Sequence, residues 1–213
     1  MWNVSAANQR PEEQHGQRHH VFPNRKLLVT AMPTIHARRM RGFTLLELMI
    51  TLVVGAVLVG FAVPSMSGFI RSNRVMTTAN SFNSAVSKAR TTAAATNSYV
   101  TVAPLGGDWK NGWQVFNEHA SPNGTYEEGI DTLISESDQP PADMSITVAT
   151  TPQGLGSISF SPVGYSQTAA TKAQMAMTVG FAISEAQRVV EISLLGRARV
   201  CNPSVDTTTC TMP

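Results

Sequence analysis

The chain has 213 residues, 42% of them hydrophobic and 14% charged, a balance that excludes disorder throughout and allows one ordinary domain plus an extension. Its formal charge of +2 is segregated: residues 1–42 carry seven Lys/Arg against two Glu, net +5, while residues 43–213 carry nine against twelve Asp/Glu, net −3. The two parts are therefore expected to meet different surroundings.

Residues 1–31 are polar, histidine-bearing and without periodicity, which reads as a disordered segment or an over-extended start; a start at Met32 or Met40 leaves a shorter basic leader. From Phe43 to Ile70 the chain is almost wholly apolar, with Glu47 its only charge. A helix of that length rises about 40 Å and can span a bilayer, which needs about 20 residues. Arg38, Arg39 and Arg41 precede it without a nearby acid, so the positive-inside rule keeps residues 1–42 in the cytoplasm and exports the rest. A cleaved secretory signal is the competing reading, but Gly60-Phe61-Ala62 only loosely imitates a cleavage site and the apolar run is long for one.

Beyond Ile70 the helical pattern continues and turns amphipathic. Val75, Ala79, Phe82, Val86, Ala89 and Ala93 recur at spacings of four and three, which predicts one apolar stripe facing a core. Pro64 is the expected kink. After Asn97 the pattern changes to short strands, at residues 99–102, 113–116, 132–134, 145–148, 158–160, 175–183 and 189–194, punctuated by Gly, Pro, Asn and Asp. The expected fold is α+β: a long N-terminal helix packed on a mainly antiparallel sheet, divided into a leader (1–42), a membrane half of the helix (43–70), an amphipathic half (71–97) and a β-rich domain (98–213).

Gly42-Phe43-Thr44-Leu45-Leu46-Glu47, behind a basic leader and ahead of a long apolar helix, resembles the start of a type IV pilin or pseudopilin. The body stretches "GWQVF" (112–116), "DTLI" (131–134), "ISFSPVGY" (158–165) and "RVVEISLLGRARVC" (188–201) are similar to the FimT/FimU and GspH-type minor pilins. The resemblance implies a pilin fold and cleavage between Gly42 and Phe43 by a prepilin peptidase, which also methylates Phe43. It further implies that Glu47 serves filament assembly by meeting a neighbouring subunit's N-terminus. The partners so implied are that peptidase, other major and minor pilins and the inner membrane. The protein would cross that membrane once with its C-terminal domain in the periplasm, then move to a pilus at the cell surface. The physics is compatible, because a carboxylate at mid-bilayer costs roughly 3 kcal/mol and the N-terminal end of a helix favours an anion.

Gly196-Arg197-Ala198-Arg199 carries the functional candidate. In an extended chain Arg197 and Arg199 share one face, about 6.6 Å apart, and two guanidinium forks on one face suit phosphates. By resemblance, FimT-like members bind DNA through a Gly-Arg-x-Arg of this kind during natural transformation. The plain alternative is a solvated arginine pair on a last strand. Residues 111–171 contain no Lys or Arg but seven acids, Glu118, Glu127, Glu128, Asp131, Glu136, Asp138 and Asp143, so a repelling acidic face confines DNA to the arginine end, with Arg188 and Lys172 as possible helpers. The alternatives are a minor pilin priming pilus assembly for adhesion or motility, a GspH-like pseudopilin of a type II secretion system, and an unrelated exported enzyme with an uncleaved anchor, against which the lack of a nucleophile-base constellation counts.

Cys201 and Cys210 are the only cysteines; in an exported domain they are expected to form a disulfide worth roughly 2.5 kcal/mol, tethering the tail beside Arg199. His119 is the only histidine after residue 42, so neither a metal cluster nor a Cys-His nucleophile pair is suggested. Trp109 and Trp113 border a turn and are expected to pack rather than stack on bases. No nucleotide fingerprint or nucleophile elbow occurs, so no cofactor and no enzymatic activity are expected.

Overall fold

The computed structural model describes residues 42–119 and 122–213, with no account of the side chains of residues 62–65. The readings made for residues 1–41, among them the basic flank and the alternative starts, fall outside the described residues. Among the described residues one α-helix, α1 (Leu45–Thr96), is followed by nine strands and two short 3-10 turns. It bends by 41° between Leu45–Phe61 and Met66–Thr96, a break that brackets Pro64, whose residue type gives no N–H to the helical ladder. Neither segment alone is long and apolar enough to cross a membrane; the bent pair is a candidate span by length and composition only.

The stripe read from the sequence is the face that packs. Val75, Ala79, Phe82, Val86, Ala89 and Ala93 are fully buried, whereas the large apolar residues between Phe43 and Ile70 whose side chains are described stand exposed. The large apolar side chains described in the first half of the helix are thus left exposed by the chain's own fold, as expected of a membrane half.

The strands form the antiparallel β-domain expected, divided into two sheets. β1 (Tyr99–Pro104), β2 (Trp113–Glu118), β3 (Thr132–Glu136), β5 (Ile158–Phe160) and β6 (Ser166–Gln167) make one, ordered β3-β2-β1-β5-β6. β4 (Ser145–Thr151), β7 (Ala176–Ile183), β8 (Ala186–Ile192) and β9 (Ala198–Cys201) make the other, ordered β4-β7-β8-β9. The helix packs on both sheets, and Phe82 joins them. Its ring stands edge-on to Trp109 at 5.6 Å and to Trp113 of the first sheet at 5.2 Å, and tilts against Phe181 of the second at 5.8 Å. Both tryptophans are thus packing residues, Trp113 buried and Trp109 lying against the core.

Two local expectations change. The strand expected to reach Leu194 stops at Ile192, because Ser193–Gly196 turns the chain, with the Gly196 N–H donating to the Ser193 carbonyl at 2.8 Å. Leu194 and Leu195 are therefore exposed at a hairpin tip. Glu118 does not belong to a solvated acidic face: it is 5% exposed, accepts from the Thr101 hydroxyl, and accepts from the Gly124 N–H at 3.2 Å. A buried carboxylate is retained only where such donors meet it. Glu127, Glu128, Glu136, Asp138 and Asp143 remain on the surface.

Candidate nucleic-acid interface

The β8–β9 hairpin presents both arginines. Its turn is closed by the Ser193 N–H donating to the Arg197 carbonyl at 3.0 Å, with the Arg197 N–H turned to the Ser193 hydroxyl at 3.3 Å. Gly196 completes it at φ +73°, a conformation that costs glycine nothing. A β-carbon there would collide with the Gly164 carbonyl oxygen and lie 3.3 Å from Arg90 Nε. Arg90 Nε itself donates to that carbonyl at 2.9 Å. The glycine of the motif is thus a backbone requirement: it lets the hairpin sit against a turn that α1 holds in place.

Alternation then sorts the side chains from Arg197, just before β9, into the strand. Ala198 and Val200 pack against the core, while Arg197 and Arg199 are exposed on the opposite face, as strand geometry predicts. Arg197 and Arg199 border an open groove of about 530 Å³ on the outer side of the second sheet, with Ala176, Thr178 and Glu191 as its floor. β9 is an edge strand, so one flank of the groove is open to a large ligand.

The two arginines are not equivalent. Among the described residues Arg197 has no side-chain hydrogen bond or ion pair. Arg199 is engaged: Nε donates to Glu191 Oε2 at 2.7 Å and a terminal nitrogen donates to the Thr209 carbonyl at 2.6 Å. The hydrogen bond from Arg199 to Glu191, and the carboxylate's charge, hold the guanidinium above its ordinary range. Thr209 is in turn fixed by Asp206, which accepts from its N–H at 3.0 Å and from its hydroxyl. These bonds from Thr209 hold the Asp206 carboxyl below its usual value.

The Cys201–Cys210 disulfide closes this segment, with Cys210 buried. Beyond it the tail lies over Gly180 of β7, where a β-carbon would meet Met212 at 2.7 Å and Pro213 at 2.9 Å. The pairing register sets the arrangement: the tail covers the row Thr147, Gly180, Val189 and Cys201, and the groove opens over the next row, Thr178, Glu191 and Arg199.

Arg188 and Lys172, considered as helpers, lie elsewhere. Arg188 lines a separate groove with Arg71. Lys172 belongs beside the first sheet, its ammonium 3.9 Å from the centre of the Tyr99 ring and donating to the Ala169 carbonyl at 2.8 Å. Burial lowers its pKa against the opposing pull of Glu118. Glu191, Thr209 and Asp206 were missed as parts of the site. A hairpin centred on Leu195 pairs Ser193 with Arg197 and therefore Glu191 with Arg199, so the Gly196 turn was the signal for the first. Among the described residues the one cluster of metal-ligand types is Glu191 with Cys201 and Cys210, whose sulfurs are already bonded to each other.

Residues 78–196 match the family model described as Type II transport protein GspH, more than half of the chain. The chain belongs to the GspH family. Residues 37–63 match the prokaryotic N-terminal methylation motif, so this GspH protein is a minor type IV pilin or pseudopilin, which implies processing by a prepilin peptidase and assembly with other pilins. Such proteins are anchored in the inner membrane and assembled into a periplasmic or surface filament, and they are structural components, not enzymes. Solved structures similar to it include the type IV minor pilin FimU of Pseudomonas aeruginosa (strain PAO1), 19% identical over 64% of this chain and 94% of that one, with a TM-score of 0.47. The minor pseudopilin EpsH from the Type 2 Secretion System of Vibrio cholerae is 11% identical over 61% of this chain and 98% of that one, with a TM-score of 0.41. No curated protein matches the chain. The GspH match ends at Gly196, so Arg197 and Arg199 rest on their own geometry.

Proposed function

We propose that this GspH protein is a minor pilin whose β8–β9 hairpin holds the phosphate backbone of DNA, so that filament retraction draws DNA inward for uptake. The observation that supports this reading is the pair of exposed guanidiniums, Arg197 just before the edge strand β9 and Arg199 within it, at the rim of one open groove. Arg197 makes the primary contact, since its fork is uncommitted, and Arg199 adds its remaining N–H donors. Two phosphates neutralised on duplex DNA give a salt slope of about −1.8, so binding is weak, salt-sensitive and indifferent to sequence. Such contacts suit a ligand that must later be released. In a salt-titrated binding assay on the full chain, Arg197→Ala should lose about 0.9 of that slope, and Arg199→Ala less because Glu191 already shares its charge. Equal binding by wild type and the double alanine variant would sink the arginine reading.

Assembly follows from the other end of the chain. Cleavage between Gly42 and Phe43 would create a cationic, methylated N-terminus four residues from Glu47, which occupies the first turn of α1, where the helix dipole favours a carboxylate. In the filament Glu47 would meet the amine of a neighbouring subunit. N-terminal sequencing of the membrane-extracted protein should begin at Phe43; a start near Val63 would instead identify a removed secretory signal and no filament.

One observation favours a second reading. Leu194 and Leu195, exposed at the hairpin tip, offer an apolar contact to a protein rather than to DNA, as a pseudopilin at the tip of a type II secretion filament would need. Leu194→Ser/Leu195→Ser would then impair secretion while leaving the DNA salt slope untouched.

A further inference from the structure

A second groove, of about 290 Å³, lies where the apolar half of α1 meets the domain. Gly68, Arg71 and Ser72 of α1 form one wall, and Arg188 of β8 with Asn202 and Ser204 of the tail form the other. Glu185 also borders it, leaving a net charge of +1. We propose that this groove takes the phosphate of a phospholipid headgroup while the chain is held in the bilayer.

Depth supports the assignment. Gly68–Ser72 follow Phe43 by 25–29 positions, a helical rise of about 40 Å that the 41° bend shortens somewhat. With the start of the apolar run at one face of a bilayer about 40–45 Å thick including headgroups, these residues reach the headgroup layer of the other face. Chemistry supports it as well. Arg71 and Arg188 bring two planar forks suited to phosphate, and the Asn202 and Ser204 side chains add donors for the remaining oxygens or a glycerol hydroxyl. Arg188 spends one terminal nitrogen on the Gln187 carbonyl at 2.6 Å, and its other donors remain for a ligand.

The surroundings distinguish a lipid from free phosphate. Met66, Phe69 and Ile70, on other faces of the helix turns that carry Gly68 and Arg71, are 59%, 65% and 45% exposed, so the helix beside the polar recess is sheathed in apolar surface. A headgroup held in the recess places its acyl chains along that surface, burying area that inorganic phosphate cannot. The groove shares no residue with the one bordered by Arg197 and Arg199, so the assignment stands or falls independently of DNA binding.

The test is native mass spectrometry of the full chain released from detergent micelles titrated with phosphatidylglycerol. Wild type and Arg197→Gln should retain one lipid alike. Arg71→Gln/Arg188→Gln should retain it about thirtyfold less well, at roughly 1 kcal/mol for each arginine removed near a lipid surface. Arg71→Lys/Arg188→Lys, which keeps both charges and guards against a folding defect in the glutamine pair, should keep most of the binding, and inorganic phosphate should not displace the lipid. Retention unchanged in a folded glutamine pair, loss as deep in a folded lysine pair, or one-for-one displacement by inorganic phosphate would each overturn the assignment.

Discussion

Gly196→Ala is expected to destabilise the domain by about 3 kcal/mol, although it adds one methyl group at a surface turn. Two costs combine. A non-glycine residue at φ +73° is strained by about 1 kcal/mol, and the new β-carbon would collide with the Gly164 carbonyl, so either the turn moves or the bond from Arg90 breaks, at a cost of a further 1–3 kcal/mol. Thermal or urea unfolding of the detergent-solubilised chain measures the loss. Leu195→Ala is the control, since that side chain is exposed in the same turn and should change stability by no more than about 0.5 kcal/mol. A Gly196→Ala variant as stable as the control would show that the hairpin does not depend on close approach at this point. If the hairpin presents DNA-binding arginines, the same variant should also flatten the salt slope, with both arginines still in the sequence.

Phe82→Ala should cost more, about 4 kcal/mol, within the range for emptying a fully buried aromatic site. The ring is completely buried and contacts Trp109, Trp113 and Phe181, residues from both sheets. Edge-on and tilted ring pairs contribute beyond their buried area, and the two sheets would lose their shared contact with the helix. A drop in Tm of about 12 °C is expected for a chain of this size, with the near-UV tryptophan signal falling in step. A loss under about 1.5 kcal/mol would mean that the three rings close over the vacancy and that Phe82 does not hold the sheets together.

Helix and strands were legible in the sequence to different depths. The stripe from Val75 to Ala93 could be read because four-three spacing has one structural meaning, and burial of each member follows from it. Strand positions could be read from alternation, but the division into two sheets could not, since pairing partners leave no local mark. Leu194 and Leu195 misled because an apolar pair after a strand looks like its continuation; the turn ahead of Gly196 is what ends it. Glu118 misled in the opposite way. Its charge spoke for solvent, and its donors, Thr101 and the Gly124 N–H, come from a neighbouring strand and a loop that composition does not connect. At the candidate interface, alternation placed both arginines on one face, while the competition for Arg199 from Glu191 and Thr209 depends on hairpin register and on where the disulfide returns the tail.

The bond from Arg90 to the Gly164 carbonyl, with Gly196 seated against the same carbonyl, has a mechanical meaning. α1 is the part of the molecule by which a filament would pull. Load applied to the helix reaches the arginine-bearing hairpin through a side-chain strut and a close backbone contact as well as along the connecting chain. An edge strand loaded only from its own end would peel from its neighbour one hydrogen bond at a time. Braced from the helix at its turn, the hairpin has a second attachment that resists such peeling; if the arginines hold DNA, a pull on it would be shared between strand and helix.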